Sequence, residues 1–415
     1  MRDSKTTRLF LFDKIYCFYI FMYANIFISP LLMLSPLPLW KLFTLLIVGL
    51  LVSFVCFSIK SKKLLSNRSK ILFAVFFIIT ILSSVTGIYY YSYLPIYANF
   101  SFLLILLMLI FFTNKHGQIF VDISTVFICL IILGAYIGVI YAFLGGRPIF
   151  NFPNGDGRIN SIYLTTGTNF HIGKFIRPSG IYDEPGALSF FICSVCLLRV
   201  FFSKNDDFTF LILIFGIITS SLTHLLILIC FSIYYLFRYR KKRSTLIYVL
   251  IFFIAGLIVI AAFYELFDTL LFDRLRYNPS QKRISGDTRS HLFLNALKLL
   301  DARSFFWGLD KTVYVDENLF HLRFPLIGNN PLTPLIKYGF FSQWYYYFAL
   351  FIIFFAGLLQ RKYFFIYLSI CFLFLQRPNP HIISYNFYFV FFSLIAIETI
   401  KANKNNFSIF VKKNL

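Results

Sequence analysis

A short polar stretch in front of an apolar run carries residue types suited to phosphate chemistry. Arg177 and Glu184 stand seven residues apart with Gly180 between them, and the mostly apolar residues 187–200 follow. The rigid fork of donors on an arginine matches two phosphate oxygens, and a partly buried carboxylate can accept a proton from an attacking hydroxyl. Glu184 also has a plain structural interpretation, as an acid in the first turn of a helix that starts near Tyr182.

A second arginine opens another predicted helix. Residues 286–291 read Gly-Asp-Thr-Arg-Ser-His, apolar residues then recur at helical spacing, and residues 305–309 end the pattern. Asp287 is the expected N-cap. Arg289 falls in the first turn, where the helix dipole favours acids rather than an arginine. This misfit favours a ligand role, and two arginines from separate loops would together hold a pyrophosphate.

Composition indicates a polytopic membrane protein. The 415 residues are 59% hydrophobic and 13% charged, and the mean hydropathy is +0.77. A soluble domain has about a quarter of its residues charged. The net charge of +22 fits basic loops on the cytoplasmic side, which also attract anionic lipids, rather than binding of nucleic acid. All seven cysteines lie in apolar runs, so no disulfide framework is predicted.

The charges between the apolar runs predict the topology. Lys and Arg gather in the short loops, which places these loops and both termini in the cytoplasm. About twelve transmembrane helices result. We therefore predict one all-α integral membrane domain over residues 1–415, with two long periplasmic loops that contain short helices, at residues 145–184 and 264–330. The predicted spans discussed below are residues 15–34, 120–144, 185–202, 332–355, 363–375 and 385–400.

The apolar run at residues 208–237 is long for one span and short for two. Lys204 precedes it and the basic residues within 238–243 follow it, so two crossings place both ends on the cytoplasmic side. We expect a hairpin of two short helices that turns at residues 220–223. Hydroxyl groups there and His224 would satisfy the backbone groups that the break exposes. A single long span remains the alternative.

Three segments resemble the Wzy-type O-antigen or capsule polymerases, within the superfamily of O-antigen ligases and polymerases. Each lies where a loop meets a predicted helix. They are Arg177-x-x-Gly180-x-x-x-Glu184-Pro185, then Arg289 with Phe306-Trp307-Gly308-Leu309, and then Asn329-Asn330-Pro331-Leu332 with residues 336–340. The number of predicted spans and the two long external loops agree with this resemblance.

The resemblance implies a glycosyl transfer on the periplasmic face of the bacterial inner membrane. A glycan carried on undecaprenyl pyrophosphate would pass to a sugar hydroxyl of another lipid-linked unit. The family arginines that hold the pyrophosphate correspond to Arg177 and Arg289, and Glu184 completes the candidate catalytic set. Further candidates for substrate binding come from the two loops: Arg158, Lys174, Gly180, Asp183, Arg283, His291, His321, Asn329 and Asn330.

The implied partners are undecaprenyl-pyrophosphate-linked oligosaccharides and membrane lipids, with a chain-length regulator and a flippase as protein partners. No nucleic acid is implied. In the sequence, no cluster of His, Cys and Asp has the spacing of metal ligands. We therefore expect a reaction without metal or cofactor, in which cationic side chains stabilise the departing pyrophosphate.

Two alternative functions remain open. Related ligases, which pass glycan to the lipid A core, carry a histidine just before the Asn of the third segment. This chain has Gly328 there, and His321 stands elsewhere, which favours a polymerase and leaves the base unidentified. The other alternative is a transporter or flippase, which would carry ionisable groups or broken helices within the membrane. His224 and the short hairpin are the transporter-like features of the sequence.

Overall fold

A computed structural model describes residues 4–26, 29, 102, 105–106, 108–109, 112–153, 159–172, 175–239, 276–278, 283–284, 288–309, 330–378 and 382–413. The chain divides into two compact units. Unit 1 is Met1–His224 with Pro380–Ile395, and unit 2 is Leu225–Asn379 with Ala396–Leu415. The single membrane domain expected from the sequence stays a prediction.

The described residues are mostly helical. In chain order the helices are α1 (Ser4–Phe21), α2 (Asn114–Phe143), α3 (Pro185–Phe201), α4 (Asp206–Phe215), α5 (Leu222–Tyr239), α6 (Thr288–Leu299), α7 (Ala302–Trp307), α8 (Thr333–Leu359), α9 (Phe364–Gln376) and α10 (Ile383–Lys413). A π-helical turn, Met22–Ile26, follows α1, and 3₁₀ turns lie at Gly216–Thr219 and Arg361–Tyr363. Helices therefore occupy the predicted spans at residues 120–144, 185–202, 332–355, 363–375 and 385–400.

Four of the described helical segments are long and apolar enough to cross a bilayer: α2, α5, α8 and the part Ile383–Ala402 of α10. Helix α3 is apolar but shorter. The protein is accordingly a membrane protein. The count of twelve spans stays a prediction, because the expected spans between residues 30 and 101 and between 240 and 275 lie outside the described residues.

Helix α3 forms the centre of unit 1. Every side chain from Ala187 to Val200 is buried, as expected for a helix that is hydrophobic on all sides. It packs against α2, α4 and the 3₁₀ turn that follows α4. Its aromatic residues meet α10, where the ring centroids of Phe190 and Tyr385 lie 4.5 Å apart. The centre of this unit is thus a helix without a lipid-facing side.

The first long loop folds into β-strands. Its strands are β1 (Phe150–Pro153), β2 (Ile159–Tyr163), β3 (Thr166–Thr168), β4 (His171–Ile172) and β5 (Phe175–Ile176). The first three form an antiparallel sheet in the order β1-β2-β3, and β4 pairs with β5. The two-residue turn Leu164-Thr165 joins β2 to β3, and the Thr165 hydroxyl donates to the Gly134 carbonyl on α2 at 2.6 Å. This contact fixes the sheet to the side of a candidate span.

The prediction of short helices was wrong for the described part of the first loop and right for the second. Residues 159–168 are rich in Thr, Ile and Tyr, which favour strands because branched and aromatic side chains fit a pleated surface. In the second loop, β6 (Tyr277–Asn278) pairs with β7 (Arg283–Ile284), and α6 and α7 are the expected helices. The single helix expected up to residues 305–309 is two helices, because Asp301 caps a new one: its Oδ1 accepts from the Ser304 N–H at 2.6 Å.

In unit 2, α7 docks into an interruption of α8. Gly339 has φ +74° and ψ 163° within α8, so the chain is not helical at that residue. The Ile336 carbonyl, which would accept from residue 340 in a regular helix, accepts instead from the Leu309 N–H at 2.7 Å. Gly308 and Gly339 meet backbone to backbone, since a Cβ on Gly308 would lie 2.9 Å from the Gly339 nitrogen. The loop helix and the membrane helix are therefore joined through main-chain atoms.

We expect Gly339→Ala to destabilise the protein strongly. A Cβ at this position would lie 2.4 Å from the Trp307 carbonyl carbon, and a backbone with φ +74° and ψ 163° adds roughly 1–3 kcal/mol for an L-residue. The matched control is Gly145→Ala, where φ is +92° and nothing lies within 4 Å of the added Cβ. Thermal unfolding in detergent should give a clearly larger drop in Tm for Gly339→Ala, and equal drops would contradict the tight contact.

Candidate functional site

The stretch from Arg177 to Glu184 connects β5 to α3 and is fixed along its length by β3. Gly167 and Gly180 form an antiparallel bridge, in which the Gly167 N–H donates to the Gly180 carbonyl at 2.7 Å. The Thr168 hydroxyl donates to the Arg177 carbonyl at 2.7 Å. The backbone of this stretch is thus built into the sheet rather than left as an open loop.

Gly180, predicted to bind substrate, has a structural requirement of its own. Its φ is +63°, and a Cβ there would lie 2.5 Å from Cγ2 of Ile131 on α2. Its N–H donates to the Thr166 hydroxyl at 3.0 Å. The close approach of the stretch to α2 therefore explains the glycine without a ligand.

The Arg177 side chain holds the break between α4 and α5. Nε donates to the Thr219 carbonyl at 3.3 Å, and Nη2 donates to the carbonyls of Thr219 and Ser220 at 3.1 and 3.0 Å. The guanidinium also lies over the Phe170 ring, 5.1 Å from its centroid, and the residue is only 9% exposed. A charged group of this kind is well suited to carbonyls that have lost their helical partners.

His224 supports the same break from the other side. Its Nε2 lies 2.7 Å from the Leu213 carbonyl oxygen, so Nε2 is the protonated nitrogen, and its Nδ1 lies 3.4 Å from Sγ of Cys193. The prediction of two helices with a break near residues 220–223 is confirmed, as is the role of His224 in satisfying a backbone group. The use of Arg177 for this purpose was not foreseen, because it depends on a contact between residues more than forty positions apart. Whether α4 and α5 cross the membrane twice stays a prediction.

The two acids of the stretch precede α3 instead of lying in its first turn. Glu184 is the N-cap residue, with φ −151° and ψ 157°, and its side chain makes no capping hydrogen bond. The expectation of helix from Tyr182 onward was therefore wrong, since Pro185 at the first helical position disfavours the α conformation in the residue before it. Asp183 accepts a hydrogen bond from Asn169 Nδ2 through its carbonyl at 3.0 Å.

A histidine on the neighbouring strand extends the list of candidate bases. Nδ1 of His171 lies 3.4 Å from the Tyr163 hydroxyl, next to the sheet that holds the stretch. Partial burial lowers the pKa of His171 and raises the pKa of Tyr163. Both groups are therefore neutral near pH 7, and a neutral imidazole can accept a proton.

The remaining candidates belong to unit 2 or lie outside the described residues. Arg283 lies in β7, and Arg289 and His291 lie at the beginning of α6. Arg158, Lys174, His321 and Asn329 lie outside the described residues. Arg177 belongs to unit 1 and Arg289 to unit 2, so the meeting of the two arginines at one ligand stays a prediction.

Asn330 is buried and lies just before α8. Its Oδ1 accepts from the Leu332 N–H at 2.9 Å, and its carbonyl accepts from the Thr333 N–H at 3.0 Å. Asparagine favours such turns because its side chain mimics a backbone carbonyl. This helix-start role accounts for the side-chain oxygen that the sequence had assigned to substrate.

A buried arginine near the end of α3 was missed by the sequence analysis. Arg199 donates from Nε to the Thr209 hydroxyl at 2.8 Å and from Nη1 to the Thr125 hydroxyl at 3.0 Å. It thereby links α3 to α4 and α2. The available signal was the presence of an arginine inside a long apolar run, which usually marks a paired or functional group.

Among the described residues, no three His, Cys, Asp or Glu side chains lie close enough together to hold a metal ion. The expectation of a reaction without metal or cofactor stays a prediction.

We expect Arg177→Ala to destabilise unit 1. The substitution leaves the carbonyls of Thr219 and Ser220 without their donor, and a buried unsatisfied group costs roughly 1–3 kcal/mol. The exposed Arg147 of the same loop provides the control Arg147→Ala, which should leave Tm in detergent almost unchanged. Arg177→Lys should recover part of the loss, because an ammonium group can still reach one carbonyl. If Arg177→Ala melts like the control, the guanidinium does not stabilise the break.

Comparisons with protein-family models, with curated proteins and with solved structures found no match to this chain.

Proposed function

We propose that the protein is a glycosyltransferase that polymerises oligosaccharide repeat units of O-antigen or capsule. Its substrates are oligosaccharides carried on undecaprenyl pyrophosphate at the periplasmic face of the bacterial inner membrane, and both termini are cytoplasmic. The proposal rests on the three sequence segments, together with what the fold does with them.

The observation that carries the proposal is a contact between two of these segments. Trp307 and Gly308, from the second segment, lie against Gly339, from the third. The two segments were selected on sequence alone and stand about thirty residues apart, yet α7 and α8 join them through main-chain atoms. The first segment lies at the comparable break in unit 1, where Arg177 binds the carbonyls of Thr219 and Ser220. Parts of all three segments therefore lie where a loop meets a helix.

The proposed chemistry is a displacement at the anomeric carbon of the donor glycan. A hydroxyl oxygen of the acceptor sugar forms the new bond as the bond to the pyrophosphate oxygen breaks, and the pyrophosphate leaves with the electron pair. Arg177 and Arg289 stabilise the negative charge on the departing group. The hydroxyl proton passes to a base, for which Glu184 and the neutral imidazole of His171 are the candidates.

Arg177 would have a double role in this reaction. Its guanidinium donates hydrogen bonds to the carbonyls of residues 219 and 220. A bound pyrophosphate would therefore either accept hydrogen bonds from the guanidinium alongside these carbonyls or replace them as its partner. Binding of the donor would then change the support of the α4–α5 junction. A phosphate ligand and the end of a membrane helix would be coupled through one side chain.

Transport is the second candidate function, and a different observation favours it. Helix breaks at residues 216–221 and at Gly339, with the buried Arg199 in α3, are features that transporters use to line substrate paths. In this chain both breaks are filled by protein groups, namely Arg177 and the Leu309 N–H. We therefore retain the polymerase as the proposed function.

Deletion of the gene separates the candidate functions through the pattern of surface polysaccharide on a gel. Loss of a polymerase should leave a single repeat unit on the lipid core, because ligation of monomers continues. Loss of a ligase should leave no repeat unit on the core. An unchanged ladder would contradict any role in this polysaccharide and would favour transport of another solute.

Substitution of Arg289 tests the clamp separately from Arg177, whose side chain also supports the break between α4 and α5. Arg289→Gln should abolish the ladder, and Arg289→Lys should retain a weakened one, because the positive charge stabilises the leaving pyrophosphate. Arg147→Gln is the matched control and should leave the ladder intact. Membrane levels of all variants are compared by immunoblot. A normal ladder from Arg289→Gln at normal protein level would remove this residue from the mechanism.

A further inference from the structure

A patch of exposed aromatic side chains covers the junction of α7 and α8. Phe305, Phe306 and Trp307 on α7 and Phe340 and Phe341 on α8 are each between 37% and 45% exposed. We call these five residues the aromatic ledge. The rings of Phe305 and Phe340 stack with centroids 5.6 Å apart, and those of Trp307 and Phe341 lie 5.0 Å apart. The ledge is thus one continuous surface formed by two helices.

The ledge continues into an exposed apolar stripe along α8. Phe348, Phe351, Phe355 and Leu358 follow Phe341 at helical spacing, and their exposures lie between 41% and 62%. Helix α8 is a candidate membrane span, and the exposed apolar face of such a span is the face that meets lipid. The apolar surface is therefore continuous from the ledge to the lipid-facing side of α8.

The ledge is held near the start of the span. The Leu309 N–H donates to the Ile336 carbonyl at 2.7 Å, and the Gly308–Gly339 contact leaves no room for α7 to slide. Phe341 lies eight residues after Thr333, the first residue of α8, and two residues after the interruption at Gly339. The ledge is therefore near one end of a candidate span, and Trp and Phe side chains of interfacial helices bind at the boundary between lipid headgroups and acyl chains.

Cationic side chains stand beside the aromatic surface. Lys298 lies in the last turn of α6 and Arg303 lies in α7, and both are exposed. Helix α6 adds an apolar face of its own, with Phe293, Leu294 and Leu297 between 36% and 56% exposed. Positive charges next to an apolar face match the phosphate groups of a phospholipid layer.

We propose that the aromatic ledge is a phospholipid-binding surface, which inserts α7 into the headgroup–acyl boundary of the bilayer and places Lys298 and Arg303 among the lipid phosphates. The second long loop would then be partly a membrane-embedded element instead of a loop in water. This inference concerns the bilayer alone, so it holds or fails independently of the proposed glycosyl transfer.

Tryptophan fluorescence tests the depth directly, because the chain has three tryptophans, Trp40, Trp307 and Trp344. The variant Trp40→Phe/Trp344→Phe leaves Trp307 as the reporter and is reconstituted into vesicles of phosphatidylcholine and phosphatidylglycerol. Nitroxide labels on the headgroup should quench Trp307 about twofold more strongly than labels at the end of the acyl chain, as expected for a ring roughly 5–10 Å below the surface.

A deep control uses the same helix. The variant Trp40→Phe/Trp307→Phe/Trp344→Phe/Phe351→Trp carries its reporter in the middle of α8, and the order of quenching should reverse. Quenching of Trp307 by soluble iodide with no effect of either lipid label would overturn the proposal and indicate a ledge in water. Protection from iodide and from both lipid labels would overturn it as well, and would indicate a protein partner or a second copy of this chain.

The cations are tested in the same vesicles. Lys298→Glu/Arg303→Glu, added to the Trp307 reporter, should weaken quenching by the headgroup label and increase quenching by iodide, since glutamates are repelled by phosphatidylglycerol. The change should disappear in vesicles of phosphatidylcholine alone. Unaltered quenching in anionic vesicles would contradict the assignment of the cations to lipid phosphates.

Discussion

The need to satisfy backbone polar groups inside an apolar environment governs the described parts of this protein. A helix that ends or breaks within a membrane protein leaves carbonyls and N–H groups without partners, and bulk water is not available to them. Two breaks meet this requirement with groups from the loops. In unit 1 the Arg177 guanidinium binds the carbonyls of Thr219 and Ser220, and in unit 2 the Leu309 N–H binds the Ile336 carbonyl.

This requirement explains why the loops are ordered next to the helices. The sheet β1-β2-β3 is not an independent domain, because β3 holds the stretch that carries Arg177 and Thr165 binds α2. Helix α7 likewise has six residues, too few to be stable alone, and it is stabilised by α8. Loop and helix are therefore mutually dependent. Arg177, which the sequence suggests for catalysis, is also a residue that supports the fold.

Local signals in the sequence predicted the helices well, but they did not predict the structural contacts of the candidate site residues. Apolar runs located α2, α3, α8 and α9, because length and hydropathy are properties of a single segment. The break near residue 220 was predicted from charge at both ends of the run. The contacts of Arg177 with residues 219–220 and of Arg199 with Thr125 could not be predicted, since they join segments far apart in the chain. The strands of the first loop were missed because a segment between two spans was assumed to be helical despite its Thr and Ile content.

The burial of every side chain of α3 from Ala187 to Val200 has a consequence for how this chain can change over evolutionary time. Helix α2 keeps an exposed row of Val126, Leu130, Leu133, Ile137 and Ile140, where one aliphatic side chain can replace another because lipid tails adapt to either shape. Helix α3 has no such row, so each replacement between residues 187 and 200 must be accommodated by a neighbouring helix. Homologous chains should therefore drift apart fastest on the outer side of α2, while α3 accepts new side chains mainly in concert with α2, α4 and α10.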